Sequence, residues 1–202
     1  MRLKREDGML LQADLEAAID AYEETSKLAI EAARSITLPL PTIIRFRTLE
    51  LDEVVVAELL KKVPLPPRGE KTKRKRGFLY FFRTTEQCAV ARADILDAMR
   101  GAKELQKAKV KNLPALNAEA LNGCTLYVGR SWTPGSRIGG HLKADLESGT
   151  YAMHLAAWAE KLDLEVELVI YEFPGIADRT LQVLEDGFWD LLRPLFGRRG
   201  DK

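Results

Sequence analysis

The sequence is short of the residues that would tie it to a disulfide scaffold, a metal cluster or a membrane. Only two of its 202 residues are cysteine, Cys88 and Cys124. Two thiols cannot make a disulfide framework, and neither has a partner at zinc-site spacing. They read as reduced, mostly buried side chains. Histidine is equally scarce, at His141 and His154. No run approaches the roughly 18 apolar residues of a membrane helix, and Met1-Arg2-Leu3-Lys4-Arg5-Glu6-Asp7 lacks the apolar stretch of a signal peptide. The expectation is a soluble, cytoplasmic protein with no membrane partner.

What is present suits one ordinary domain with an appendage, since a 46% hydrophobic content can fill a sizeable core. The formal net charge is only +1, but it is unevenly spread. Residues 1–67 hold nine basic and twelve acidic side chains, 68–76 hold six and one, and 77–202 hold sixteen and seventeen. The excess of positive charge therefore sits in the run that carries Arg68, Lys71, Lys73, Arg74, Lys75 and Arg76. Such a run reads either as a solvated linker or as a contact for a polyanion.

The periodicities predict an α+β chain. Leu11, Leu15, Ile19, Tyr22, Ala29, Ile30 and Ala33 recur near a helical period, with acidic residues on much of the opposite side. That predicts one long amphipathic helix over Met9–Ala33, packed on its own domain or on a second copy as a homodimer. After Pro39 and Pro41, Thr42–Arg47 reads as a short strand or extended segment and Leu51–Lys62 as a helix. Pro64, Pro66 and Pro67 mark a boundary, which divides the chain into a helical appendage at 1–67, a basic linker at 68–76 and a main domain at 77–202. Within that domain, Gly77–Phe82, Cys124–Val128 and Leu164–Phe173 read as strands. This gives a small antiparallel sheet of about three strands, flanked by helices. A helical insertion fills about 85–122, with Thr84 or Thr85 as cap, an apolar stripe of Ala89, Ala93, Leu96 and Met99, and lysines at 103, 107, 109 and 111. A turn at Thr133–Ser136, a helix from Arg137, another near Thr150–Lys161 and a last one at about Ile176–Leu192 complete the reading.

Three segments carry a family resemblance. Leu126-Tyr127-Val128-Gly129-Arg130-Ser131, followed by Arg137 and His141 four residues apart, resembles the second half of the GIY-YIG endonuclease motif. Glu185, with Phe188 at +3, Leu192 at +7, Pro194 at +9 and Gly197 at +12, resembles that family's last helix. For the first motif, Tyr80 matches the family tyrosine and Phe78 takes the glycine slot, with Phe78, Tyr80 and Phe82 on one face of a strand. The likeness spans about Gly77–Arg199. It departs from the family at Gly197, where many members have asparagine, and in the more than 40 residues between the two tyrosine strands.

The resemblance implies a metal-dependent endonuclease that hydrolyses phosphodiester bonds in DNA, with RNA not excluded. Its catalytic set would be Tyr80, Tyr127, Arg137, His141 and Glu185, and Glu185 would bind Mg²⁺ or Mn²⁺. The residue chemistry suits this. Magnesium accepts one or two carboxylates and keeps its waters, arginine holds phosphate through paired donors, and histidine can shuttle a proton near neutral pH. Either tyrosine, to act as a base, would need its pKa of about 10 lowered by cationic neighbours. Arg83, Arg130 and Lys143, with the basic run, would neutralise phosphates. The alternative is a non-catalytic nucleic-acid-binding protein that keeps a partly degenerate version of the fold.

Overall fold

A computed structural model describes residues 11–65, 76–106, 112–117, 120, 124–144 and 151–200. The elements run α1 (Gln12–Arg34), β1 (Thr42–Arg47), α2 (Glu53–Lys61), β2 (Arg76–Thr84), α3 (Arg92–Leu105), β3 (Thr125–Ser131), α4 (Pro134–Leu142), α5 (Leu155–Trp158), β4 (Glu165–Pro174) and α6 (Asp178–Leu192). The class is α+β, with one antiparallel sheet ordered β1-β4-β2-β3.

The sheet has four strands, one more than the sequence suggested, because Thr42–Arg47 joins β4 rather than standing apart. Its inward residues Ile44 and Phe46 are buried, as are Leu51, Val56, Leu59 and Val63 along the α2 stretch, all in one cluster with Phe78, Tyr80 and Phe82. The Pro-rich boundary at 67 therefore does not separate two cores.

β2 is the strand that organises the molecule, since it lies between β3 and β4 and is buried on both faces. The two-residue repeat sends Phe78, Tyr80 and Phe82 to one face and Leu79 and Phe81 to the other. The first face is covered by α2, α3, α4 and α5. The second is covered by α6, through Leu181, Leu184 and Phe188. Gly77 is required on that second side, because a Cβ there would lie 2.6 Å from Ile176 and 2.7 Å from Leu181.

Two local expectations shift. Helix α3 begins after Ala91 rather than at Thr84 or Thr85, and the buried stripe is Ile95, Met99 and Ala102, which shares Met99 with the one anticipated and takes Ile95 in place of Leu96. Lys107, Lys109 and Lys111 lie outside the described residues, as does the start of the helix expected near Thr150; of that helix, α5 keeps four residues. Cys124 is exposed rather than buried, and Cys88 is partly buried. No described helix is long and apolar enough to cross a membrane.

Candidate functional site

Tyr80 and Tyr127 come from neighbouring strands and meet on the α4 side of the sheet. Their rings are 6.4 Å apart and nearly parallel, at 19°. Gly129 makes this possible. It is the cross-strand partner of Tyr80, and an added Cβ would stand 2.7 Å from the Tyr127 ring and 2.8 Å from the Tyr80 hydroxyl. The glycine two residues after the tyrosine is thus a steric necessity of the paired rings.

Helix α4 supplies the other two groups. Pro134 opens it, with its missing N–H at a position that needs none. Arg137 and His141, one turn apart, then face the tyrosines. Arg137 donates from Nη2 to the Tyr127 hydroxyl at 3.2 Å and from Nη1 to the Tyr151 carbonyl at 2.7 Å. His141 is fully buried, with its ring 4.4 Å from that of Tyr127. Two of the three glycines in α4 serve packing in its second half: Gly139 lies against Leu60 of α2, and Gly140 against Ala152.

The hydrogen bonds fix the histidine's tautomer. The Met153 backbone N–H donates to Nδ1 at 3.1 Å, so the proton of the neutral ring is on Nε2, which faces the Tyr80 hydroxyl at 3.2 Å. Burial, aided by Arg137 and His154, holds the His141 pKa well below its ordinary value. His141 is therefore a neutral donor that holds the Tyr80 oxygen, with no path to exchange protons directly with solvent.

Burial also decides the tyrosines. It pushes Tyr80 well above the ordinary phenol range, with Tyr127 adding to the rise and Arg137 opposing it. Tyr127 is raised as well, again by burial against the opposing pull of Arg137. The lowering by cationic neighbours expected from sequence is outweighed, since His141 carries no charge and a single guanidinium does not offset desolvation. Both hydroxyls stay protonated at neutral pH, their oxygens accepting from His141 Nε2 and Arg137 Nη2.

Glu185 reaches the same region from α6, around the free edge of β3. Its Oε1 accepts from the Arg130 backbone N–H at 3.1 Å and its Oε2 from Arg130 Nε at 3.1 Å. Burial raises its pKa, with Arg130 opposing. Arg130 is further held by Gln182 and Asp178. This contact covers a backbone donor that an edge strand would otherwise leave open. A metal ion at Glu185 would compete with this pair. With the guanidinium against Oε2, the carboxylate is already compensated, and a divalent ion there would meet Arg130. Among the described residues no group of three or more His, Cys, Asp or Glu could hold a metal.

Pro194 and Gly197 close the same strand edge. Leu195 and Phe196 donate to the Thr125 and Leu126 carbonyls, and Gly197 follows at φ +106° with an added Cβ only 3.2 Å from the Tyr127 ring. An asparagine in that position would be strained and would crowd the tyrosine.

A cleft of about 390 Å³ opens beside this cluster, lined by Ser131, Ser136, Arg137, Lys143 and His154 among others. Ser136 and His154 were not singled out in the sequence as site residues, and they reach the cleft with Ser131 from separate elements: the end of β3, the first turn of α4 and the residue before α5. Of the proposed phosphate contacts among the described residues, only Lys143 faces this cleft. Arg83 lies on the opposite face of the sheet, pairing with Glu167. Arg130 is committed to α6, and Arg76 pairs with Glu172. Arg68, Lys71, Lys73, Arg74 and Lys75 lie outside the described residues. In comparison with known proteins, the chain matches no family model, no curated protein and no solved structure.

Proposed function

We propose that the chain is a GIY-YIG-type nuclease acting on phosphodiester bonds, with DNA as its substrate. One observation carries this reading: Tyr80, Tyr127, Arg137 and His141, brought from two strands and a helix, converge beside a cleft that also holds Lys143. Their chemistry suits a phosphate diester. Arg137 offers a fixed positive charge to the phosphoryl oxygens. The protonated tyrosine hydroxyls add donors to the same region, and His141 keeps Tyr80 in place. Lys143, exposed at the end of α4, draws the anion in.

The Mg²⁺ or Mn²⁺ requirement assigned to Glu185 belongs to this reading, and it needs Arg130 to leave the carboxylate. That closed pair favours the second reading, a nucleic-acid-binding protein that keeps the fold without the reaction.

Purified protein incubated with supercoiled DNA, linear DNA and RNA, with and without Mg²⁺ or Mn²⁺, separates the two. Metal-dependent nicking that falls about 10²–10³-fold in Arg137→Ala and is lost in Glu185→Ala supports the nuclease. Salt-sensitive binding with no cleavage under any condition supports the binding protein instead.

A further inference from the structure

Helix α1 carries one apolar stripe along its length, but the fold uses only half of it. Ser26, Ala29, Ala33 and Ile36, at the C-terminal end, are buried or half-buried where α1 packs on α6. At helical spacing the same stripe continues through Tyr22, Ile19, Leu15 and Leu11. These four are exposed by 67, 55, 53 and 56%. At 1.5 Å per residue they span roughly 17 Å. Three large side chains in one row on the helix, with Leu11 at its N-cap continuing the row, are a docking face rather than scattered surface residues.

The charges around the row indicate what covers it. Between Gln12 and Glu24 the helix has five carboxylates, at Asp14, Glu16, Asp20, Glu23 and Glu24, and no basic residue. Glu16 and Glu23 line one shoulder of the stripe and Asp14 the other. A second copy laid along the stripe would oppose carboxylate to carboxylate, which destabilises a helix pair. Nucleic acid and anionic lipid are repelled for the same reason. A basic partner gains on both shoulders while filling the stripe. Among the described residues a cation already stands there: Arg179 of α6 lies over the Tyr22 ring at 5.4 Å, where the α6 contact ends.

From this continuity and this charge pattern we infer that Leu11–Glu24 is the docking site for a basic amphipathic helix of another protein, which extends the α6 contact outward along α1. The partner helix presents leucine-like residues at i, i+3, i+4 and i+7, with lysine or arginine on both flanks.

The test uses the full chain and two fluorescent synthetic helices that share one leucine stripe, one flanked by lysine and one by glutamate. Fluorescence anisotropy should give the lysine peptide at least about 10-fold tighter binding. Leu15→Ser with Ile19→Ser, exposed positions whose change leaves the charge intact, should weaken it by about 10-fold or more. Glu16→Gln with Glu23→Gln should weaken it and flatten its salt dependence. Circular dichroism confirms that each variant is folded. Equal affinity in the Leu15/Ile19 variant, or no preference for lysine, overturns the inference. So does sedimentation showing a wild-type dimer that the Leu15/Ile19 variant dissociates, which would make a second copy the occupant.

Discussion

Gly129 shows how one missing side chain sets the geometry of a site. Its absent Cβ leaves room for the Tyr80 hydroxyl and the Tyr127 ring, both within 3.0 Å of where that carbon would be. Gly129→Ala should therefore cost about 1–3 kcal/mol through overpacking in a region that cannot relax, read by urea denaturation. Adding Tyr80→Phe removes the closest oxygen, so the double variant should lose less than the sum of the two singles; strict additivity would refute the steric account. His141 makes a second residue-scale prediction. The folded state keeps the ring neutral, whereas in the unfolded chain it protonates near pH 6.5. Stability is thus fully present above about pH 6.5 and falls as pH drops toward the depressed folded value. Between pH 7 and 5.5, His141→Gln should show a smaller loss than wild type, and an equal loss would count against a neutral buried ring.

At the scale of elements, the sheet's second face beyond α6 is held by charge. Arg45, Glu167 and Arg83 stand in register across β1, β4 and β2. Hydrogen bonds from Arg45 and then Arg83 hold the Glu167 carboxyl below its ordinary range. A depressed acid contributes stability that is present above the unfolded value of about 4.3 and lost as pH falls through the folded one. The stability gap between wild type and Glu167→Gln should be open at pH 6 and close below about pH 4; a gap constant over that range would show that the ladder is not an ionic contact. Thr48 is a neutral counterpart. Its buried hydroxyl donates to the Ala159 carbonyl at 2.8 Å and accepts from the Leu164 N–H at 2.7 Å, pinning the start of β4 to the end of β1. Nothing in the sequence marked it, since a lone threonine after a strand has no pattern of its own. Helix α3 teaches a related lesson. Its stripe could be read through Leu96, because Leu96 and Ile95 are both apolar and only burial in the shared core selects Ile95.

At the scale of the molecule, positive charge and the cleft are separated along the chain. Lys143 and Arg137 face the cleft, while Arg83, Arg130 and Arg76 are spent on internal carboxylates. Under the proposed function, nucleic-acid affinity then depends on the basic run 68–76. Replacing Lys71, Lys73, Arg74 and Lys75 by serine should lower the slope of log affinity against log salt by roughly 3–4, measured by anisotropy at several salt concentrations. An unchanged slope would assign the binding to other residues.

The sequence by itself determined the α+β class, three of the four strands of the main sheet, the face shared by Phe78, Tyr80 and Phe82, and the amphipathic nature of α1. Each follows from a local period of 2 or 3.6 residues, which a linear chain displays directly. Tertiary structure alone decided that Thr42–Arg47 completes the sheet and that Glu185 is bound to Arg130. It also decided that buried tyrosines and a buried histidine stay neutral, and that half of the α1 stripe is left uncovered. Those outcomes depend on which charges meet and how much water is excluded, and both are fixed only when residues far apart in the chain are brought together.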